Sequence, residues 1–476
     1  MLLLLCCAAT LGAAVPLPTP TSAQLEWQDF EVGALVQWNI GIFGELSDDY
    51  ACSSGALPAE SFAPTALDTD AWAAAAKGFG AKYAVLTVQA GCGFLLYPTN
   101  STVPGGGVYP YTTANASAVA AAPDIVARFV ASCRKAGVRP GIYYQIANNV
   151  FCAVKACVVQ PPGGAGPCGD QAAYEATTLA QLEELWTRYG ELAELWFDGG
   201  VDTGVAPTPG TLGAKVAALI AAHQPLAAAF QAPPTPNAVR WVGTEGGTTA
   251  ADTWSTAKSA TDFGPGEPGG PVWAPAECDV TLQANGEWYW QAGVPLRTLA
   301  QLAAIYEGCV GHNGNLLLAV HPNLDGGIDP AHAARGAELA AWVEGCFGAP
   351  SLLNATAGAL SLALHEPLIL ELPPGAVARR AVLQEDQTRG QLVRGFTLEA
   401  RVGGAWRQVL AGEAMGHKRI VPLGEGDAAA AADALRLTIT AVAGGANAMS
   451  LRRFAAFACP PAAAPAAAPA KPLVPW

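Results

Sequence analysis

Eight short apolar runs, most of them separated by a helical stripe, fill residues 27–349 and constrain the fold more than any other feature of the chain. They fall at 33–38, 83–89, 140–145, 192–197, 227–231, 239–244, a weaker seventh at 279–282, and 315–320. A run of about 4–8 apolar residues bounded by Gly, Pro or charge is the mark of a strand buried on both faces, because a parallel sheet covered by helices has no wet side. Between the runs, Ile125, Val126, Phe129, Val130 and Cys133 recur at helical spacing and give one buried stripe. Leu179, Leu182, Leu185, Trp186 and Tyr189 give another. Strands alternating with helices predict a parallel sheet, and eight of them predict closure into a (β/α)8-type barrel.

After Cys346 the period changes. Runs at 368–372, 396–402 and 435–440 alternate with period two between Gly/Pro turns, the pattern of an antiparallel β-sandwich. With 476 residues the chain has room for both. The expected organisation is an α/β fold: a catalytic barrel over 24–349, a C-terminal β-sandwich over 350–459, and a Pro/Ala-rich disordered tail over 460–476.

Residues 1–23 carry an apolar core of about a dozen residues followed by small and polar ones, too short to span a bilayer and suited to a secretory signal peptide. No later run has the length of a membrane span, so no membrane association is expected once the signal is removed. Sequons at Asn100, Asn115 and Asn354 agree with a glycoprotein that is secreted or held in the secretory-pathway or vacuolar lumen. Removing Cys6 and Cys7 with the signal leaves an even set of cysteines, as disulfides require. Cys152, Cys157 and Cys168 share a Pro/Gly-rich loop without a histidine, which favours a local disulfide over a zinc site.

Twenty-five basic against 39 acidic residues give a net charge of −14, with no Lys/Arg-rich block. That argues against a nucleic-acid or anionic-membrane partner and fits an acidic, soluble enzyme of small molecules. The histidines are scattered and show no ligand spacing, so neither metal nor other cofactor is expected. The stretch that invites chemistry is Glu194-Leu195-Trp196-Phe197-Asp198-Gly199-Gly200. Its apolar run ends on a carboxylate followed by two glycines, which places Asp198 at the C-terminal rim of the fourth strand, where barrel enzymes carry their reactive groups.

Several segments occur in an order that resembles the α-L-fucosidases of glycoside hydrolase family 29, in their plant and bacterial branch. They are Gly80-Ala81-Lys82-Tyr83-Ala84-Val85-Leu86-Thr87, Gly141-Ile142-Tyr143-Tyr144, Leu195-Trp196-Phe197-Asp198-Gly199, Val239-Arg240-Trp241-Val242-Gly243-Thr244-Glu245, Pro275-Ala276-Glu277-Cys278-Asp279-Val280 and Gly314-Asn315-Leu316-Leu317-Leu318. The resemblance implies a retaining exo-glycosidase that removes terminal α-L-fucose, or a closely related sugar, from a fucosylated glycan or oligosaccharide. Such an enzyme needs two carboxyl groups about 5–5.5 Å apart. The resemblance makes Asp198 the nucleophile. Glu245 is the preferred acid/base, and Glu277 is the alternative, beside the aromatic cluster that includes Trp288. Sugar contacts are expected from Gln37, Trp38, Asn39, Gln89, Tyr144, Gln145, Trp241 and Trp288.

The pattern breaks in one respect. Relatives carry His-Trp/Phe-Gly after the first strand and His-His-Asp-Gly-Phe after the second, whereas this chain has Gln37-Trp38-Asn39 and Ala90-Gly91-Cys92-Gly93-Phe94. All six histidines lie at or beyond His223. Each lost hydrogen bond to a sugar hydroxyl is worth on the order of 1 kcal/mol. Gln37, Asn39, Gln89 and Gln145 are the residues placed to replace them, since an amide both donates and accepts. Two functions of different class follow: an active glycosidase, or a carbohydrate-binding relative that has lost turnover.

Overall fold

The computed structural model describes residues 17–44, 52, 55–160, 166–201, 210–348, 353–354, 360–424, 432–445, 448–460 and 462. Residues 1–16 of the expected signal and nearly all of the expected tail lie outside them. The first helix, α1 (Ser22–Phe30), starts inside the segment assigned to the signal. Thr21 and Gln24 form a reciprocal capping box there, which satisfies two of the helix's free N–H donors.

Eight strands follow: β1 (Val32–Val36), β2 (Tyr83–Gln89), β3 (Arg139–Tyr144), β4 (Glu194–Trp196), β5 (Ala228–Phe230), β6 (Ala238–Trp241), β7 (Ala276–Val280) and β8 (Gly314–Val320). Each pairs in parallel with its neighbours in sequence, and β1 pairs with β8 to close the barrel. The closure depends on one glycine. A Cβ on Gly33 would lie 2.2 Å from the ring of Tyr83, so only a bare backbone in β1 lets that ring enter the barrel interior.

Six helices pack outside the barrel: α2 (Thr69–Gly78), α3 (Ile125–Ala136), α4 (Gln171–Arg188), α5 (Leu212–His223), α6 (Leu299–Cys309) and α7 (Pro330–Val343). Asp68, Asp124, Asp170, Thr211 and Thr298 accept backbone N–H bonds at the starts of α2 to α6. The helical crossover expected after every strand is missing twice. Residues 231–237 carry β5 into β6 without a helix, and 242–275 carry β6 into β7 through a short ribbon pairing Thr256–Ala257 with Val272–Trp273. The weak seventh run also begins earlier than its apolar residues indicate. Glu277 and Asp279 interrupt its hydrophobicity, yet both lie within β7 because other barrel side chains receive them.

The C-terminal part is antiparallel throughout. One sheet contains β9 (Leu353–Asn354), β10 (Leu360–Ala363), β12 (Arg380–Glu385), β15 (Arg419–Pro422) and β17 (Ala448–Phe457). The other contains β11 (Pro367–Glu371), β13 (Val393–Val402), β14 (Ala405–Gly412) and β16 (Ala432–Val442). Leu383, Leu398, Leu437 and Phe454 are among the side chains of their shared core. The buried Lys418 ammonium reaches Glu31 of the barrel at 2.7 Å, and the Cys346–Cys459 disulfide links the end of the barrel to the end of the sandwich. Cys152 pairs with Cys168, the local disulfide expected of that loop. Among the described residues no helix is long and apolar enough to cross a membrane, and no group of three metal-ligating side chains occurs.

Candidate active site

Asp198 follows β4 at the C-terminal rim. Gly199 and Gly200 turn the chain directly behind it at φ of 70° and 73°, a region open to glycine at little cost. Its Oδ2 accepts two hydrogen bonds, from the Tyr143 hydroxyl at 2.6 Å and from Gln145 Nε2 at 2.9 Å. Both donors belong to the third strand segment, where residues two apart share a face. Behind Asp198 the rings of Tyr143, Trp196 and Phe230 form a continuous stack across β3, β4 and β5, with centroids 5.1 and 4.2 Å apart. This wall leaves the carboxylate little freedom.

Glu245 comes from the loop after β6. Val242 and Gly247 donate backbone N–H bonds to the Glu277 and Asp279 carbonyls of β7, each at 3.1 Å, so the loop continues the register of the barrel before it departs. Gly247 has φ of 71°, and a Cβ there would lie 2.8 Å from Val280. Trp288 Nε1 donates to Glu245 Oε2 at 3.0 Å and aims the carboxylate.

Asp198, Glu245 and Asp279 line one cavity of about 100 Å³. Gln37, Tyr143, Gln145, Trp196, Trp288 and Tyr289 contribute to its walls, and among the described residues no lysine, arginine or histidine lines it. The volume lies below the range of drug-sized ligand pockets and suits a single small ring. Burial pushes the Asp198 carboxyl up and the charge of Glu245 adds to this, while the Tyr143 hydroxyl pulls it down. Burial raises Asp279 to about 8, against the bond from Trp241 Nε1 to its Oδ1 at 2.6 Å.

Deeper in the barrel, Glu277 accepts from Tyr83 at 2.7 Å and from Trp196 Nε1 at 2.8 Å. Burial raises it to about 7. Glu194 beside it is pushed well up by burial and by the negative charge of Glu277. Two buried carboxyls in contact share a proton rather than hold two charges.

Of the residues singled out in the sequence, Asp198, Glu245, Gln37, Gln145 and Trp288 meet at the cavity. Trp241 stands behind Asp279. Glu277 is fully buried and does not line the cavity. Trp38 packs between Phe62 and Trp72, with both centroids 5.0 Å away, and donates to the Asn323 carbonyl. Asn39 caps Ile40 and donates to the Thr87 carbonyl. Gln89 accepts from the Gln145 backbone N–H, and Tyr144 faces outward to Gln181 of α4. Sequence reasoning missed Asp279 and Tyr143; Trp196, behind Asp198, and Tyr289, in the aromatic cluster with Trp288, were marked by their places in the sequence. The signal for Asp279 was available: like Asp198, it is a carboxylate near the C-terminal end of a barrel strand. Choosing Tyr144 over Tyr143 was an error of parity, since adjacent strand residues face opposite ways.

Comparison with known proteins gives the family and the fold. A family model described as alpha-L-fucosidase matches residues 23–346. The protein named "Putative alpha-L-fucosidase 1" of Oryza sativa subsp. japonica is 30% identical over 454 residues, spanning 86% of this chain and 82% of that protein. Alpha-L-fucosidase 1 of Arabidopsis thaliana is 27% identical over 445 residues, spanning 85% and 82%. A solved structure from Bacteroides thetaiotaomicron VPI-5482, described in the same terms as the rice protein, superposes with a TM-score of 0.78 at 29% identity, covering 93% of this chain and 99% of its own. The same fold occurs in a Ruminococcus gnavus fucosidase in complex with fucose, with a TM-score of 0.75 at 19% identity over 94% of this chain and 97% of that one.

Proposed function

Because the chain belongs to the alpha-L-fucosidase family of glycoside hydrolases, we propose that it is a secreted, retaining exo-glycosidase that releases terminal α-L-fucose from glycans, with Asp198 as nucleophile and Glu245 as acid/base. One observation carries the assignment: both side-chain donors to Asp198 bind the same oxygen, in a cavity that Glu245 also lines. Oδ1 takes neither of them and is the oxygen that attacks the anomeric carbon. As that bond forms, Glu245 gives its proton to the glycosidic oxygen and the aglycone leaves. Glu245 then takes a proton from water, the water oxygen attacks the anomeric carbon, and the bond to Asp198 breaks. The net change is hydrolysis with retained configuration. The burial of Glu277 beneath the Trp196 ring supports Glu245 as the acid, because a leaving group cannot reach a carboxyl below the wall.

Export through the secretory route fits the apolar leader and the exposed Asn100 and Asn115 sequons. The capping box at Thr21 supports a cleavage point ahead of that residue rather than at 23. N-terminal sequencing of exported protein tests this, and a start beyond Thr21 overturns it.

A second reading, a sugar-binding relative without turnover, has one observation in its favour. Of the four amides placed to replace the missing imidazoles, Asn39, Gln89 and Gln145 have side chains engaged with the protein, and among the described residues the Gln37 side chain lines the cavity without such a bond. Aryl glycosides decide between the two, with the anomeric configuration of the first-formed product followed by NMR. Hydrolysis of an α-L-fucoside with retention supports the enzyme, inversion refutes the covalent route, and fucose binding without hydrolysis of any α-L-fucoside supports the binding protein.

A further inference from the structure

Asp279 has no part in the double displacement, yet it lines the cavity together with both carboxylates that do. Three carboxyls face this small space and, among the described residues, no cation lines it. Three bare negative charges would repel one another across it, and the proton that Glu245 carries as the acid still leaves two, so a second group is pressed to hold a proton. The hydrogen bonds indicate which. Asp198 takes two donors on one oxygen, and the exposed Glu245 takes the Trp288 indole. Asp279 is only 3% exposed and receives one side-chain donor, the Trp241 indole, beside its own backbone N–H.

We propose that Asp279 is a neutral carboxylic acid in the resting enzyme, and that its Oδ2–H donates a hydrogen bond to a hydroxyl of the bound sugar, making it a specificity-determining residue. This rests on the glycosidase reading of the cavity. The geometry sets the roles of the two oxygens: Oδ1 accepts from the Trp241 indole, which leaves Oδ2 to carry the proton and face the sugar. Burial and the acidic groups around it favour the neutral form, against the bond from the Trp241 indole. Glu245 comes from the loop after β6, Asp198 from the end of β4, and Glu277 and Glu194 lie deeper on β7 and β4. Tyr143 of β3 and Tyr289 of the β7–α6 loop also line the cavity. His321, at the end of β8, bonds Thr281, does not line the cavity, and is held uncharged by burial. Burial, with the charges of Glu245 and Glu277 adding to it, raises Asp279 to about 8, so its proton is retained at neutral pH. In a cavity without lysine, arginine or histidine, an acid of this kind supplies a donor without adding charge.

The test compares Asp279→Asn, which keeps the shape and a donor, with Asp279→Ala, which keeps neither. Calorimetric binding of L-fucose at pH 6 is expected to change about threefold or less in Asn and to weaken about five- to tenfold in Ala, the worth of one hydrogen bond. As pH rises through about 8 the wild type loses affinity and the Asn variant does not. The infrared difference between wild type and Asp279→Asn at pH 6 is expected to show the C=O band of a protonated carboxyl, with the bands of Glu194 and Glu277 cancelling. Absence of that band overturns the proposal without reference to any sugar. Equal losses in Asn and Ala, with wild-type fucose binding intact, overturn the donor role alone. A wild-type protein that binds no fucose overturns the sugar contact together with the fucosidase reading.

Discussion

Replacing Tyr143 by Phe removes one hydroxyl from the support of Asp198 and little else. The ring stays in its stack with Trp196, 5.1 Å away and 12° from parallel, so the packing loss is small. The lost bond is a short one, at 2.6 Å, from a phenol to a carboxylate. Bonds of that class contribute roughly 1.5–3 kcal/mol. The hydroxyl stabilises the ionised form of Asp198, while burial and Glu245 favour the neutral one. Its removal therefore pushes the carboxyl further up, and a protonated Asp198 cannot attack. On the acid limb of kcat/KM, where rate follows the ionised fraction, the loss is about 10–150-fold, since each 1.36 kcal/mol is a factor of ten. At higher pH a second effect opposes the first, because a carboxylate relieved of a donor is the stronger nucleophile. The plateau is expected to fall much less than the limb, with Gln145 still holding Oδ2. The assay is kcat/KM for an aryl α-L-fucoside from about pH 4 to 8. An unmoved acid limb refutes the argument, as does a loss of equal size at every pH, which would mean that Tyr143 serves only the fold.

Three further outcomes follow from the same structure. Glu245→Gln is expected to lower kcat about 10²–10⁴-fold on substrates with poor leaving groups, whereas Glu277→Gln keeps kcat within a few-fold and loses about 1–3 kcal/mol of stability by placing an amide among the donors Tyr83 and Trp196; paired kinetics and urea unfolding separate the two roles. Lys418→Met leaves the partly buried Glu31 without its cation and, among the described residues, with only the Tyr306 hydroxyl as donor, and is expected to cost about 1–3 kcal/mol in denaturant unfolding, much of it restored by adding Glu31→Gln. Stability should fall as pH rises from about 4 to 8: Glu277, Asp279 and Glu385 have folded-state pKa values raised to about 7, 8 and 7, so their contribution is fully present below their ordinary values and is lost as pH climbs through the raised ones. Asp29 runs the other way. Against the cost of burial, His417 and Arg452 lower it to about 2, and its contribution is lost only in acid below about pH 4. Thermal unfolding at pH 5 and pH 8 checks the sign, and a higher midpoint at pH 8 contradicts it.

How much of this was legible beforehand depended on which residues had a local reason for their position. The barrel strands were legible because burial on both faces demands unbroken apolar runs, and the sandwich because its strands alternate. Asp198 stood out because a carboxylate closing such a run and followed by two glycines is marked by its neighbours in the chain. Glu245 was reached through likeness to relatives, since nothing in its own loop distinguishes it from a surface turn residue. Tertiary structure decided which of two adjacent tyrosines points inward, which of two glutamates reaches the rim, and which amides remain for a sugar. Each of these turns on barrel stagger and on partners 43 to 81 residues away: Trp196 for Glu277, Trp288 for Glu245, Asp198 for Gln145. A one-residue change of register reverses every facing, and a local pattern of polar residues cannot encode that choice, because the energy that fixes it comes from contacts formed only when the barrel closes.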